Sequence, residues 1–523
     1  MLRIIPRTMS TQHPDNASVP QWCRGEVLEG EDEVYEAFFA FSELGCHEVM
    51  WDAEGKDVDT RVVRKLLLGY REYFRENIIG RDVFLTYRLP NPRVDEAERK
   101  IMVESLVNIP VSCDVASKFY GKEVTPIFEV ILPFTTDSRE LVWLLNYYRK
   151  AIVGVQELEL DSSVRVKDWI GCFKPATIEV IPLIEDMESL KEAERIVKPY
   201  LDTVQPPYLR VFLARSDPAL NYGIISAVLL LKIALSKLKK MEEETGIPIY
   251  PIIGVGTMPF RGHLSTSNLQ NFLREYRGVY TVTIQSALKY DYPVEEVKRT
   301  ISTLNTTLPN GEPETLEPHE EQALLNATRK LKASYQETIV NLAPLINSVA
   351  SYVPQRRSRK LHIGLFGYSR SVGGVTLPRA IPFAAALYTL GIPPEMLGLR
   401  ALSELNEEEW DAVVAHYINI KHDIQTAAGY LSWGNINMLI EAYEKIAERV
   451  GTEKERLSSA ISKVLEDIES AQNHLEVKTG PRSLLQRKHE NTISNFLISY
   501  IEEDRREARK YLQEAAKIRK CLG

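Results

Sequence analysis

Short apolar, β-rich runs recur eight times between residues 47 and 367, and nearly all are separated by stretches with helical periodicity. That alternation narrows the available folds more than any other feature of the chain, because a strand, an amphipathic helix and another strand make a parallel βα unit. The runs are HEVMWD (47–52), DVFLTYR (82–88), IFEVILPF (127–134), TIEVIPLIE (177–185), LRVFLAR (209–215), IYPIIGVG (249–256), TVTIQS (281–286) and LHIGLFG (361–367). Both faces of these runs look apolar, as expected where side chains fill a barrel inside and helices cover it outside. Between them, TRVVRKLLLGYREYF (60–74) and YGIISAVLLLKIALSKLKKM (222–241) carry the helical period. Eight such units predict an α/β fold of the TIM-type (β/α)8 class. No G-x-G-x-x-G turn follows the first run, which argues against an open dinucleotide-binding sheet.

The gap from about 290 to 360 is too long for one βα connection and contains a helical run. It is therefore expected to be a helical insertion before the eighth strand. Beyond residue 400 the chain has little β character and much charge at helical spacing. This gives a catalytic barrel over 1–400 and a helical C-terminal extension over 401–523, packed on the barrel and available for subunit contacts.

The 523 residues carry a formal net charge of -8, so no global attraction to nucleic acid or to anionic membrane is expected. Five well-separated cysteines show no paired metal-ligand spacing and read as reduced thiols. No run approaches the roughly 20 apolar residues of a membrane span. A cytoplasmic protein is expected.

In a barrel of this class the active site is built at the C-terminal ends of the strands. Here those ends carry Asp52 and Glu54, Arg88, Thr135 and Thr136, Glu185 and Asp186, Arg215 and Asp217, Arg261 and His263, Gln285, then Ser369 and Arg370. Loops are polar in general, but several arginines and carboxylates aimed at one mouth repel their own kind unless a ligand or metal balances them. Glu185 and Asp217 close neighbouring strands. They can share a hard cation such as Mg²⁺, or pair instead with Arg215 or Lys191. The arginines point to an anion with planar oxygens, since guanidinium forks bind carboxylates and phosphates bidentately. A phosphorylated carboxylic acid satisfies both halves of the set. In FGYSRSVGGVTLPRAIPF (366–383), Gly373 and Gly374 precede a helical run; this reads either as a phosphate cradle or as an ordinary tight turn. His13 lies ahead of the first apolar run in TQHPDN, as a catalyst or as a structural hydrogen-bonding residue.

Taken together, MSTQHPDN, EVMWDAEGKDVD, RVFLARSDPALNYG, FRGHLS, YVPQRRSRKLHIGLFGYSRS and the closing RKCLG resemble, in order and spacing, the archaeal-type phosphoenolpyruvate carboxylases over nearly the whole chain. TQHPDN, VIPLIED, RSDPALNYG, VTIQSALKYD and SVGGVTLPRAIPF also resemble motifs of the larger bacterial and plant enzymes. The glycine- and arginine-rich loop of those enzymes is reduced here to VGTMPFRGHLS, and Leu220 stands where they carry a lysine. The resemblance implies a barrel that uses Mg²⁺ or Mn²⁺ to convert phosphoenolpyruvate and bicarbonate to oxaloacetate and phosphate, through carboxyphosphate and an enolate. It implies that Glu185 and Asp217 hold the metal, that His13 removes a proton, and that Arg370, Arg379 and Arg261 serve catalysis. Substrate contacts are expected from Arg88, Arg215, Gln285, Ser369, Gly373 and Gly374. A homotetramer is implied as well. Two rivals remain at this level: another magnesium-dependent barrel acting on phosphoenolpyruvate or a 2-oxo acid, and a catalytically silent anion-binding scaffold.

Overall fold

A computed structural model describes residues 4–97, 99–360, 362–366 and 371–523. Eight parallel strands close into one barrel in sequence order: β1 (Thr8–Ser10), β2 (Glu48–Asp52), β3 (Phe84–Arg88), β4 (Glu129–Leu132), β5 (Glu179–Ile184), β6 (Leu209–Leu213), β7 (Ile249–Ile253) and β8 (Thr281–Ile284). Seven coincide with apolar runs of the sequence. The strand that closes the barrel does not. β1 is three residues long, and it pairs with β2 through Met9↔Glu48 and with β8 through Met9↔Thr283.

The expected strand at 361–367 is therefore corrected. Its described part, 362–366, is turn and irregular chain, and Ile363, Gly364 and Leu365 lie against the barrel mouth. The reason is geometric: β1 already fills the space between β2 and β8, so a closed barrel offers no edge for another strand. Thr8-Met9-Ser10 escapes notice because it is short and two-thirds hydroxyl-bearing, and its burial comes from its neighbours. For the same reason the long helical segment is no insertion before an eighth strand. It follows β8, as the helices Ser286–Tyr290, Val294–Thr307 and Pro318–Ala350.

Inside the barrel the two-residue period of each strand sorts side chains into layers. On β2 the inward residues are Glu48, Met50 and Asp52; on β6 they are Arg210 and Phe212, followed by Ala214 just past the strand. The lowest layer is ionic. Arg210 donates across the barrel to Glu48 Oε2 at 2.7 Å, to Glu129 Oε2 at 2.7 Å and to Thr281 Oγ1 at 3.2 Å. Thr86 also donates to Glu48, and Tyr208 donates to the other Glu129 oxygen at 2.9 Å. Above it Met9, Met50, Ile131, Ile181, Leu183, Phe212 and Ile252 form an apolar plug. The third layer, at the mouth, is polar again.

Outside, the helices bury their apolar faces on the strands; Val62, Val63, Leu66 and Leu67 of Val62–Gly69 are all buried in that core. A second core unites Pro318–Ala350, Ala380–Leu390 and the helices that follow, down to Leu512. Among the described residues no single helix is long and apolar enough to cross a membrane.

Arg210 is fully buried, so its replacement by Met strands two buried carboxylates. Arg210→Met should lower unfolding free energy by about 3–5 kcal/mol, read from urea denaturation of the purified chain.

Candidate active site

The C-terminal ends of the strands open into a cavity of about 460 Å³. Every one of the eight strand ends reaches it, from Gln12 and His13 after β1 to Gln285 after β8. Among the described residues its walls hold seven arginines against four carboxylates, a balance that favours an anion.

The carboxylates are not spread evenly. Asp52, the last residue of β2, receives Arg88 of β3 as a fork, Nε at 2.8 Å and Nη2 at 2.5 Å. Glu54 takes Arg88 Nη2 at 3.1 Å. Glu185 follows β5 and accepts the Phe134 N–H at 2.8 Å; Asp217 lies two residues beyond Arg215, in the first turn of Ser216–Tyr222 after β6. Burial first, and then the charges of Asp217 and Glu54, push the Glu185 carboxyl up to about 8. Adjacent strands thus present acidic groups that repel one another across a shared space. A divalent cation relieves that repulsion, and two carboxylates with room for water and substrate oxygens suit Mg²⁺ or Mn²⁺. A second set, His263, His422 and Asp423, has ligand-bearing atoms within 4.8 Å of one another. There His263 Nδ1 is hydrogen-bonded to Asp423 and His422 Nε2 to Asn268.

The arginines divide by occupation. Arg215 directs its donors at Phe260 O (3.2 Å), Pro259 O (3.3 Å) and Tyr276 Oη (3.3 Å), so it braces the loop after β7. Arg261, carried by that loop, donates to Asp15 (3.1 Å), to the Gly523 carbonyl (2.8 Å), to Ser216 (3.2 Å) and to the Gln285 side chain. Arg356 and Arg357 hold the backbone at Asn16 and Ala17 and the buried Glu36. Arg359 and Arg379 lie over the turn after β2: a Cβ on Gly55 would lie 3.7 Å from Arg379 Nη2 and 3.9 Å from Arg359 Nη1. Burial and the Arg379 charge both disfavour the charged form of Arg359. A guanidinium keeps its proton near neutral pH all the same, so an entering anion relieves the strain.

His13 proves to be three residues past β1 rather than ahead of the first strand, which is why it reaches the mouth. Its Nδ1 lies 2.8 Å from Thr11 Oγ1. Burial, then Arg88 and Arg261, hold its pKa well below the ordinary histidine value. The imidazole is neutral at pH 7.

Of the other residues singled out from sequence, Arg88, Arg215, Arg261, Gln285 and Arg379 line the cavity with His13, Glu185 and Asp217. Ser369 and Arg370 lie outside the described residues. Gly373 and Gly374 form the tip of a small antiparallel hairpin, Ser371–Val372 with Val375–Thr376, are exposed, and are not among the described residues of the cavity wall. Their positive φ values, 54° and 84°, meet the needs of a two-residue hairpin turn. Thr135 donates to Leu132 O, and Asp186 caps its own helix at Ser189 N. Sequence reasoning did not single out Arg359, Gln12 or Asp15. The only local signal for Arg359 is its place in the basic run RRSRK.

Asp52 yields a pH prediction. Burial raises its carboxyl, but the charge and hydrogen bonds of Arg88 outweigh burial and bring it down to about 2. A carboxyl depressed in the folded state contributes stability above its unfolded value near 3.9, and loses it as pH falls toward 2. Asp52→Asn should remove about 2 kcal/mol of acid-sensitive stability, flattening the decline in unfolding free energy between about pH 4 and pH 2.

Comparison with known sequences agrees with this geometry. The sequence model described as phosphoenolpyruvate carboxylase matches residues 5–523. Proteins named phosphoenolpyruvate carboxylase from Metallosphaera sedula, Caldivirga maquilingensis and Picrophilus torridus are 49%, 48% and 44% identical over 523, 522 and 524 aligned residues, covering 100% of this chain and of each relative. A match of that extent, on a barrel whose mouth joins a carboxylate pair to a ring of arginines, places the chain in the phosphoenolpyruvate carboxylase family.

Proposed function

We propose that this chain carboxylates phosphoenolpyruvate with bicarbonate, giving oxaloacetate and phosphate through carboxyphosphate and an enolate, and so supplies four-carbon acids. The observation that carries the proposal is the division of one cavity into an acidic side, Glu185 with Asp217, and a basic side with Arg359 and Arg379 over the Gly55 turn. That division matches a substrate with a phosphoryl group at one end and an enol oxygen and carboxylate at the other.

Glu185 and Asp217 fit a Mg²⁺ or Mn²⁺ ion, because both carboxylates line one cavity, where burial first and then the Asp217 and Glu54 charges disfavour the ionised Glu185, and a carboxylate pair suits such a hard cation. Such an ion supplies Lewis-acid stabilisation of an enolate oxygen. Arg359, Arg379 and Arg261 neutralise the phosphoryl group as it moves from phosphoenolpyruvate to bicarbonate, and Arg370 belongs with them by resemblance. In phosphoryl transfer most of the catalytic work is electrostatic. Arg88 is held by Asp52 and Glu54, and so presents an oriented edge to substrate. His13 is neutral and in reach of the cavity. In the tautomer that donates Nδ1–H to Thr11 Oγ1, its Nε2 is the basic nitrogen and takes the carboxyphosphate proton, releasing CO2 for capture by the enolate carbon. Ile363, Gly364 and Leu365 line the mouth, where limiting water access would protect both intermediates.

The likeness to the family also supports a cytoplasmic homotetramer. Exposed Trp143, Trp169 and Ile170 offer apolar surface for self-association, and sedimentation velocity reads the mass.

Three measurements test the proposal. Oxaloacetate formation should require bicarbonate and Mg²⁺ or Mn²⁺, and Asp217→Asn should lower it by about 100-fold or more. His13→Asn should reduce oxaloacetate formation by about 100-fold or more while phosphate release from phosphoenolpyruvate stays detectable. Full carboxylation by His13→Asn would remove this residue from the chemistry.

A further inference from the structure

Arg261 reaches the cavity on a tight loop whose shape is fixed from outside the site. The turn Pro259–Arg261 is followed by Gly262 at φ 112° and by His263 at φ 62°, a left-handed conformation that non-glycine residues adopt only when their surroundings hold them there. A Cβ at position 262 would approach Val255 Cγ1 to 2.5 Å, so the turn is tightly folded on β7's exit. Backbone bonds from Gly256 N to Arg261 O (2.6 Å) and from Leu264 N to Gly256 O (2.9 Å) close it.

Two carboxylates from beyond the barrel then clamp it. Glu395 accepts the Phe260 N–H at 2.8 Å and the Tyr388 hydroxyl at 2.6 Å. Asp423, in the helix Ile420–Ala428, bonds His263 Nδ1 through one oxygen at 2.6 Å and accepts the Tyr417 hydroxyl through the other at 2.8 Å. His263, Asp423 and Tyr417 are all buried. Asn268 donates to the His263 carbonyl at 2.9 Å, and the His422 ring stacks on His263 at 5.5 Å. The nitrogens of both histidines that face this cluster are engaged in these hydrogen bonds, which makes the cluster a clasp between the loop and the distal helices rather than an open ligand set.

We infer that His263, through its bond to Asp423, is a positioning residue that sets Arg261 in the cavity and ties the helical region to the site. The inference rests on the reading of Arg261 as part of the carboxylation site. A buried, charge-assisted hydrogen bond that also spans 160 residues of sequence is well suited to fixing the end of a loop. It acts on Arg261 two residues away through the backbone, with no contact to substrate.

The test is a double-mutant cycle on the full chain. His263→Asn keeps a residue that tolerates a left-handed φ while removing the reach to Asp423. It should lower kcat about tenfold or more with bicarbonate and Mg²⁺ saturating, leave the melting temperature within a few degrees, and increase hydrogen exchange at the Phe260 and His263-loop amides. In an Arg261→Lys background the same change should cost less than twofold, because its effect passes through Arg261. Asp423→Asn, nearly isosteric and still able to accept from Tyr417, should reproduce both results and serves if His263→Asn does not fold. Undiminished kcat in the single variants, or the full loss recurring beside Arg261→Lys, would overturn the inference. So would a stoichiometric metal in the wild-type protein that is absent from Asp423→Asn, since the cluster would then be a metal site. Failure of the wild-type protein to make oxaloacetate would count against the proposed function instead, and the exchange measurement would still report on the clasp.

Discussion

The hydrogen bonds that seat Thr8–Ser10 between β2 and β8 close the barrel, and nearly everything at the mouth depends on that closure. Without β1 the sheet would have two open edges, and the loop that follows it would have no fixed place. With it, Gln12 reaches across to accept the Asp52 N–H at 3.1 Å, and His13 faces the same space as Arg88 and Arg261. Three residues of strand thereby place a histidine 35 residues before β2 next to groups more than 200 residues later in the chain. The segment is then secured from the far side: Asp291 accepts the N–H groups of Ala17 and Ser18 at 2.6 and 2.7 Å, and Asp15 accepts that of Ala287 at 2.8 Å.

Charge is arranged on that frame so that no group is idle. Arg215 and Asp217, two positions apart at the exit of β6, go separate ways: the cation inward to loop carbonyls, the anion to the cavity. Arg88 is held by Asp52 and Glu54, and Arg357 by Glu36, so their positions do not depend on substrate. The acidic side around Glu185 and the basic side around Arg359 and Arg379 line one cavity, and they are the sides that the proposed cation and substrate would meet. In a low-dielectric site such preset charges act more strongly than in water and need little rearrangement during reaction.

How much of this could be read from the sequence varied with the kind of signal. Seven strands were legible because Val, Ile, Leu and Phe dominate them. β1 was not, since Thr and Ser carry no hydrophobic pattern and its burial is conferred by its partners. Placing residues at strand ends was enough to gather Asp52, Glu54, Arg88, Glu185, Asp217, Arg261 and Gln285 at one mouth, because parallel strands share a direction. At Gly373 and Gly374 the same reasoning left two readings open, because a hairpin turn and a phosphate cradle ask for the same residue. Arg215 read as a substrate contact; it lines the cavity, and the structure adds partners 44 to 61 residues away in sequence that no local pattern announces. Local pattern identifies which side chains face inward; it does not say which of them are already engaged by distant backbone.

The hydrocarbon layer between the ionic floor and the reactive mouth has an engineering consequence. Met50, Ile131, Phe212 and Ile252 insulate one set of charges from the other, so a protein designer can treat the two ends as separate modules. Rebuilding Arg210, Glu48 and Glu129 together as well-packed aliphatic side chains, in place of a desolvated ion cluster, is a route to greater heat resistance that leaves the catalytic electrostatics untouched.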